Sequence, residues 1–154
     1  MYYTFCYTLD MNVSASVDIV GSTPEEVFQY VTEVYNEPKW RLKSTESKLL
    51  TEGPMRVDSE GYSEADNNGK LIKAGWKVTE YEENEYAKWE LTSGPLVGTG
   101  GYRVEGVDGG VRFTLEADVR MPGLGVLLGP VVKIIGCRMN KADVSNLKNI
   151  LESD

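Results

Sequence analysis

The chain has 154 residues, 41% hydrophobic and 26% charged, with a net charge of −8 and no histidine. That length suits one domain with a real core, and the acidic balance argues against nucleic acid as a partner. The missing histidine excludes serine–histidine and cysteine–histidine nucleophile systems and histidine-ligated zinc or iron.

The start, MYYTFCYTLDMN, has neither the basic n-region nor the apolar h-region of a signal peptide. No apolar run reaches the ~18–20 residues of a membrane span, so the expected location is cytoplasmic. Residues 1–10 read as a loose lead-in, because Met11 is also a sensible start. Cys6 and Cys137 lie far apart and form no C-x-x-C pair. Free, mostly buried thiols in a reduced compartment are expected, with a bridge between the two left open.

From Asn12 to Val20, Val13, Ala15, Val17 and Ile19 alternate with polar residues, the pattern of a half-buried strand. In GSTPEEVFQYVTEV, Ser22 or Thr23 can cap a helix. Pro24 suits its first turn, and Glu25 and Glu26 suit the positive end. Val27, Tyr30, Val31 and Val34 then form its apolar stripe. YNEPKWR breaks the helix at Pro38 and delivers Trp40. From Lys43 to Arg120, turn signals at Glu52–Pro54, Asp66–Lys70, Glu82–Asn84, Ser93–Pro95 and Asp108–Gly110 divide the chain into about six antiparallel strands. A long helix closes the chain. The expectation is one α+β domain over residues 1–154. In it a curved antiparallel sheet of about seven strands wraps the C-terminal helix, with two short helices after the first strand. A strongly twisted sheet around a helix leaves a concave space of the kind that holds small ligands.

In this order of elements the chain resembles the SRPBCC superfamily, the helix-grip fold of START-type lipid-transfer domains and pollen-allergen-like proteins. The resemblance rests on VDIVGSTPEEVFQYVTEVYNEPKW and DVSNLKNILE and covers residues 11–153. The nearest subgroup is the bacterial and archaeal polyketide cyclase/dehydrase and lipid transport proteins. The resemblance implies an internal hydrophobic cavity and no particular reaction, since these motifs are structural.

Other constellations are weak. GLGVLLG, at Gly123, Gly125 and Gly129, lacks the parallel strand that a dinucleotide loop needs after its helix. GTGG at Gly98–Gly101 lacks the lysine of a phosphate loop and reads as a bent strand. The acids of EYEENEY have no calcium-loop spacing and read as a solvated turn. No metal site and no cofactor are expected.

Strand alternation puts Val57, Ser59, Gly61, Ser63 and Ala65 on the concave face. Ile72, Ala74, Trp76 and Val78 follow, then Ala87, Trp89 and Leu91, then Tyr102 and Val104, then Val111 through Val119. The candidate ligand-binding residues are Trp40, Ser59, Ser63, Trp76, Trp89, Tyr102, Phe113, Leu128, Lys133 and Cys137. Trp40 sits either at the cavity mouth or as an aromatic closing the small-helix corner. The concave positions hold no acid–base pair, so no catalytic residue is assigned and holding a ligand suits them better than cleaving one.

The last helix is written in two styles. Val144, Leu147 and Leu151 define the face that meets the sheet. At ~100° per residue that face runs back through Asn140, Cys137, Gly136, Lys133 and Gly129, and leaves Val131, Ile134, Ile135 and Met139 outside. A straight helix exposes those aliphatics. A bend near Gly136, or a break at Gly129–Pro130, turns them inward; some bend with partial exposure is expected. Exposed, the aliphatics call for a cover, whether a second subunit, a membrane surface or a partner protein, and most simply a homodimer through Val131, Ile134 and Ile135.

The resulting functional expectation is a carrier for a lipid, isoprenoid, quinone or polyketide-like molecule. The alternatives are a polyketide cyclase or aromatase that uses cavity hydroxyls and Lys133, and a partner-binding module without a pocket.

Overall fold

The computed structural model describes residues 6–9, 12–123 and 129–153. Eight antiparallel strands form one sheet in the order β1-β2-β8-β7-β6-β5-β4-β3. They are β1 (Cys6–Leu9), β2 (Asn12–Val20), β3 (Ser44–Leu49), β4 (Glu60–Asn67), β5 (Lys70–Glu82), β6 (Tyr86–Ser93), β7 (Val97–Val107) and β8 (Gly110–Arg120). The helices are α1 (Pro24–Thr32), a 3-10 turn (Val34–Asn36), α2 (Glu37–Trp40) and α3 (Gly129–Glu152). The helix-grip architecture expected from the sequence is therefore present. One strand is added to it: Cys6–Leu9, read as part of a lead-in, pairs with Asn12–Ala15.

Local chemistry sets the boundaries. Thr23 and Glu26 form a reciprocal capping box at the start of α1, and Pro24 occupies its first turn, which satisfies two otherwise orphaned backbone donors. Pro38 does not end a helix as expected; it sits in the first turn of α2, where its missing N–H costs nothing. Asn68 and Gly69 both have positive φ and make the two-residue β4–β5 turn, as an Asn-Gly pair should.

The sheet has two ends. At one lie α1, α2, the β3–β4 loop and the β5–β6 and β7–β8 turns. At the other lie the β4–β5 and β6–β7 turns and the start of α3. α3 packs on β2 and β8, and α1 packs on β7 and β8. Val57 and Ser59, assigned above to a strand, fall in the β3–β4 loop. Asp58 there has positive φ, and Ser59 Oγ accepts a hydrogen bond from Arg56 N at 3.0 Å. A local turn has claimed this serine.

α3 is one helix with no break at Gly136. In its second half Asn140, Asp143, Val144 and Leu147 are buried, whereas Val131, Ile134 and Ile135 keep 52–55% exposure. The helical phase is therefore as projected, no break interrupts the helix at Gly136, and the aliphatics stay partly exposed. Among the described residues no helix is long and apolar enough to cross a membrane.

Candidate ligand site on the concave face

The inner face of the sheet is filled at one end and loosely covered at the other. On β5, Val78 and Trp76 are buried, while Ala74 and Ile72 are half-buried. On β6, burial falls from Ala87 to Trp89 and Leu91, and on β8 from Val111, Phe113 and Leu115 to Ala117 and Val119. β4 falls likewise from Gly61 to Ser63 and Ala65, and β7 from Val104 and Tyr102 to Gly100 and Gly98. All five strands open toward the end where α3 begins. The helix half at that end offers Lys133, Gly136 and Cys137 as half-buried positions, and a side-chain carbon added at Gly136 would meet nothing within 4 Å.

The aromatics form the floor. Trp40 is fully buried, edge-on to Tyr102 at 5.9 Å and to Phe113 at 5.8 Å between ring centroids. Trp89 stacks edge-on to Tyr102 at 4.6 Å. Trp40 therefore closes the small-helix corner and does not stand at a mouth. Trp76 and Trp89 each lie over a glycine of the neighbouring strand. A Cβ at Gly61 would come within 2.3 Å of the Trp76 ring, and one at Gly100 within 2.7 Å of the Trp89 indole. The glycines of GTGG thus include one that makes room for an aromatic panel.

Beneath the rings lies an ionic network that strand patterning missed. Glu37, at the start of α2, is buried. Its Oε2 accepts hydrogen bonds from Ser47 Oγ at 3.1 Å and Ser63 Oγ at 3.2 Å, and Trp76 Nε1 donates to Ser63 Oγ at 3.2 Å. Arg41 Nη1 stands 3.7 Å from Glu37 Oε1, and its Nε donates to Asp143 Oδ2 at 3.3 Å. Asp143 Oδ1 accepts from Leu42 N at 2.9 Å. Burial works against the Arg41 charge, but Glu37, Tyr102 and Asp143 together hold the guanidinium above its ordinary pKa. Burial also pushes the Tyr102 phenol well up, with Glu37 and Asp143 adding to it and Arg41 opposing. At neutral pH Tyr102 is therefore a hydrogen-bond donor, not a base. Trp40 Nε1 and Ser44 Oγ are buried with no hydrogen-bond partner among the described residues. The expectation concerned the inward strand positions; this network brings charged groups from outside them, Glu37 on α2, Arg41 just after it and Asp143 on α3, which strand parity could not reveal.

Of the sequence candidates, Trp40, Trp76, Tyr102 and Phe113 share the floor, and Ser63, Trp89, Lys133 and Cys137 are half-buried toward the open end. Ser59 belongs to the β3–β4 turn at the closed end, and Leu128 lies outside the described residues. Cys137 is disulfide-bonded, which corrects the expectation of a free thiol there. Clefts are present among the described residues at two places. One of about 730 Å³ lies between α1, the β3–β4 loop and the β5–β6 turn, lined by Phe28, Val34, Leu49, Met55 and Tyr81 with Glu25, Glu33, Glu52 and Glu83. It contains none of the sequence candidates. The other, about 260 Å³, includes Trp89. Among the described residues no group of acidic or cysteine side chains could hold a metal ion.

The fold is shared with solved structures of low identity. The Zhui aromatase/cyclase from Streptomyces sp. R1128 is 13% identical at a TM-score of 0.77, with 92% of this chain and 93% of that one covered. TTHA0849 from Thermus thermophilus is 14% identical at a TM-score of 0.75, covering 92% and 97%. A START superfamily protein from Mycobacterium smegmatis is 16% identical at a TM-score of 0.72, covering 92% and 97%. No curated protein matches the chain. A family model does match, over residues 10–152 and therefore nearly from end to end. The chain belongs to the polyketide cyclase/dehydrase and lipid transport family.

Proposed function

We infer that this protein binds a hydrophobic small molecule, of the size of a lipid tail, isoprenoid, quinone or polyketide, in the loosely covered half of its concave face. The observation that carries the reading is the common direction in which five strands lose burial on their inner faces. Apolar side chains left half-covered on the concave side of a sheet are surface that a ligand can remove from water. Trp89, Leu91, Ala74 and Ala117 would line the walls, with Trp76 and Tyr102 beneath. Half-buried Lys133 is a charged group on the helix face toward the sheet, at the end away from the buried Asp143. The family's fit to ligand binding supports the same reading.

The test is an organic extract of the purified protein analysed by mass spectrometry, together with titration of a neutral apolar fluorophore, N-phenyl-1-naphthylamine. One saturable site, weakened when Ala74→Trp fills the space, is expected. No co-extracted apolar molecule and no saturable binding would sink the reading.

A cyclase reading has one specific observation in its favour. The Tyr102 phenol sits beside Glu37 and Arg41 at the floor and stays protonated, so it could polarise a ligand ketone. If that reading holds, Tyr102→Phe abolishes ring closure of a poly-ketone substrate while its binding persists. Equal turnover in the variant removes it.

A further inference from the structure

The first half of α3 combines two properties. Its outward face is apolar: Val131, Ile134 and Ile135 keep 52–55% exposure and Met139 36%. The same stretch is purely basic. Between Asp118 and Asp143 the sequence holds Arg120, Lys133, Arg138 and Lys141 and no acid. With 16 basic and 24 acidic residues in all, the remainder of the chain holds the other 12 basic residues against all 24 acids, a net −12.

Arg138 follows Ile134 by four residues and Ile135 by three, so it shares their face of the helix. Lys141 flanks that face and is half-buried. Arg120, Lys133, Arg138 and Lys141 form no ion pair with any described residue. Asp143, the first acid to follow, is buried and committed to Arg41 and Leu42.

We propose that this face, from Val131 to Lys141, docks on a bilayer surface that carries anionic headgroups. Exposed aliphatics flanked by the unpaired cations Arg138 and Lys141 fit the boundary between acyl chains and headgroups, while Lys133 faces the sheet and Arg120 lies at the end of β8. The aliphatics remove apolar area from water and the cations meet lipid phosphates. Charge also selects this occupant over a second copy of the chain. A two-fold axis through Ile134 would bring the basic groups of two copies together, and like charges oppose that contact. Against an anionic surface the basic face points in while the acidic body points away.

The surface does not depend on the cavity being a carrier site, and the two can fail separately. The experiment is flotation of the purified full chain with vesicles of phosphatidylcholine, alone or mixed with phosphatidylglycerol. Binding to the mixed vesicles only, lost at high salt, is expected. Arg138→Gln with Lys141→Gln should weaken it roughly twentyfold to thirtyfold, at about fivefold per charge. Ile134→Asp should weaken it at least tenfold. Circular dichroism and N-phenyl-1-naphthylamine binding should stay unchanged in both variants, since Ile134 and Arg138 are exposed and Lys141 is not part of the buried core. Absence of binding to anionic vesicles overturns the proposal, as does equal binding by both variants. A concentration-dependent dimer in sedimentation equilibrium that Ile134→Asp dissociates also overturns it, because the face then belongs to a second copy.

Discussion

The two halves of α3 are built on one continuous helical backbone and yet are held by different forces. From Asn140 onward the helix is tied to the rest of the protein by burial and by hydrogen bonds at regular intervals. Val144 and Leu147 are buried, Asp143 Oδ1 accepts from Leu42 N just beyond α2, and Asn146 Nδ2 donates to Trp40 O at 3.0 Å at the end of α2. Lys148 Nζ reaches Asp18 O at 2.6 Å, and Glu152 Oε1 accepts from Val20 N at 2.8 Å. Before Asn140 no described residue of the helix is buried, and the tie in that half is the Cys137 disulfide. One half is an anchor and the other a cover, and the inner faces of the strands beneath follow the same division. A helix can serve both tasks because its backbone bonds are satisfied within itself, leaving each half free to keep or forgo tertiary contacts.

Paired truncations would break this comparison most directly. Leu147→Ala should cost about 2–5 kcal/mol, as for any fully buried leucine. Ile134→Ala, thirteen residues earlier, should stay within about 0.5 kcal/mol. Urea titration of both variants measures the difference, and similar costs would mean that the two halves are packed alike. Asp143→Ala should follow at about 2–3 kcal/mol, below the usual cost of breaking a buried pair, because Arg41 keeps 28% side-chain exposure and water can reach it. Arg41→Met together with Asp143→Leu should recover part of that loss only when Glu37→Gln is added, because buried Glu37 otherwise loses its cation.

Gly61→Ala should cost about 1–3 kcal/mol by forcing the buried Trp76 ring aside. Gly100→Ala should cost less, because Trp89, at the loosely covered end, has room to yield. Thermal melts with tryptophan emission read both. Tyr102 yields a pH prediction. Its folded-state pKa is raised, so its contribution to stability is complete below the ordinary phenol value of about 10 and is lost as the pH rises beyond it. Denaturation midpoints should therefore fall in alkali less steeply for Tyr102→Phe than for the wild type. The smallest effect belongs to the exposed pair on the outer face of β2 and β8. The Arg112 guanidinium hydrogen-bonded to Asp18 holds that carboxyl below its usual range. The pair's contribution is present above the ordinary carboxylate pKa and fades as the pH falls through the lowered value. Removing it with Arg112→Ala should cost under about 1 kcal/mol.

What the sequence determined by itself is whatever repeats or is spelled out within a few residues. The alternation of β2, the Thr23–Glu26 cap, the Asn68-Gly69 turn and the phase of α3 are local or periodic signals, and the order they impose leaves one helix to cover one sheet. The half-buried stations of Ser63, Trp89 and Lys133 follow from the same periodicities. Tertiary structure decided what joins residues distant in the chain. Arg41 and Asp143 meet across a hundred positions to balance charges that neither could keep buried alone. Trp76 and Trp89 settle over Gly61 and Gly100 only because strand register brings each pair together. Sequence leaves Trp40 open between a mouth and a corner because its place depends on Tyr102 and Phe113 arriving from other strands. Ser59 keeps the buried side that alternation gives it but lies in the loop just before β4, where its Oγ accepts from Arg56 N. Periodicity gives the direction a side chain faces, and the assembled fold decides what it meets there.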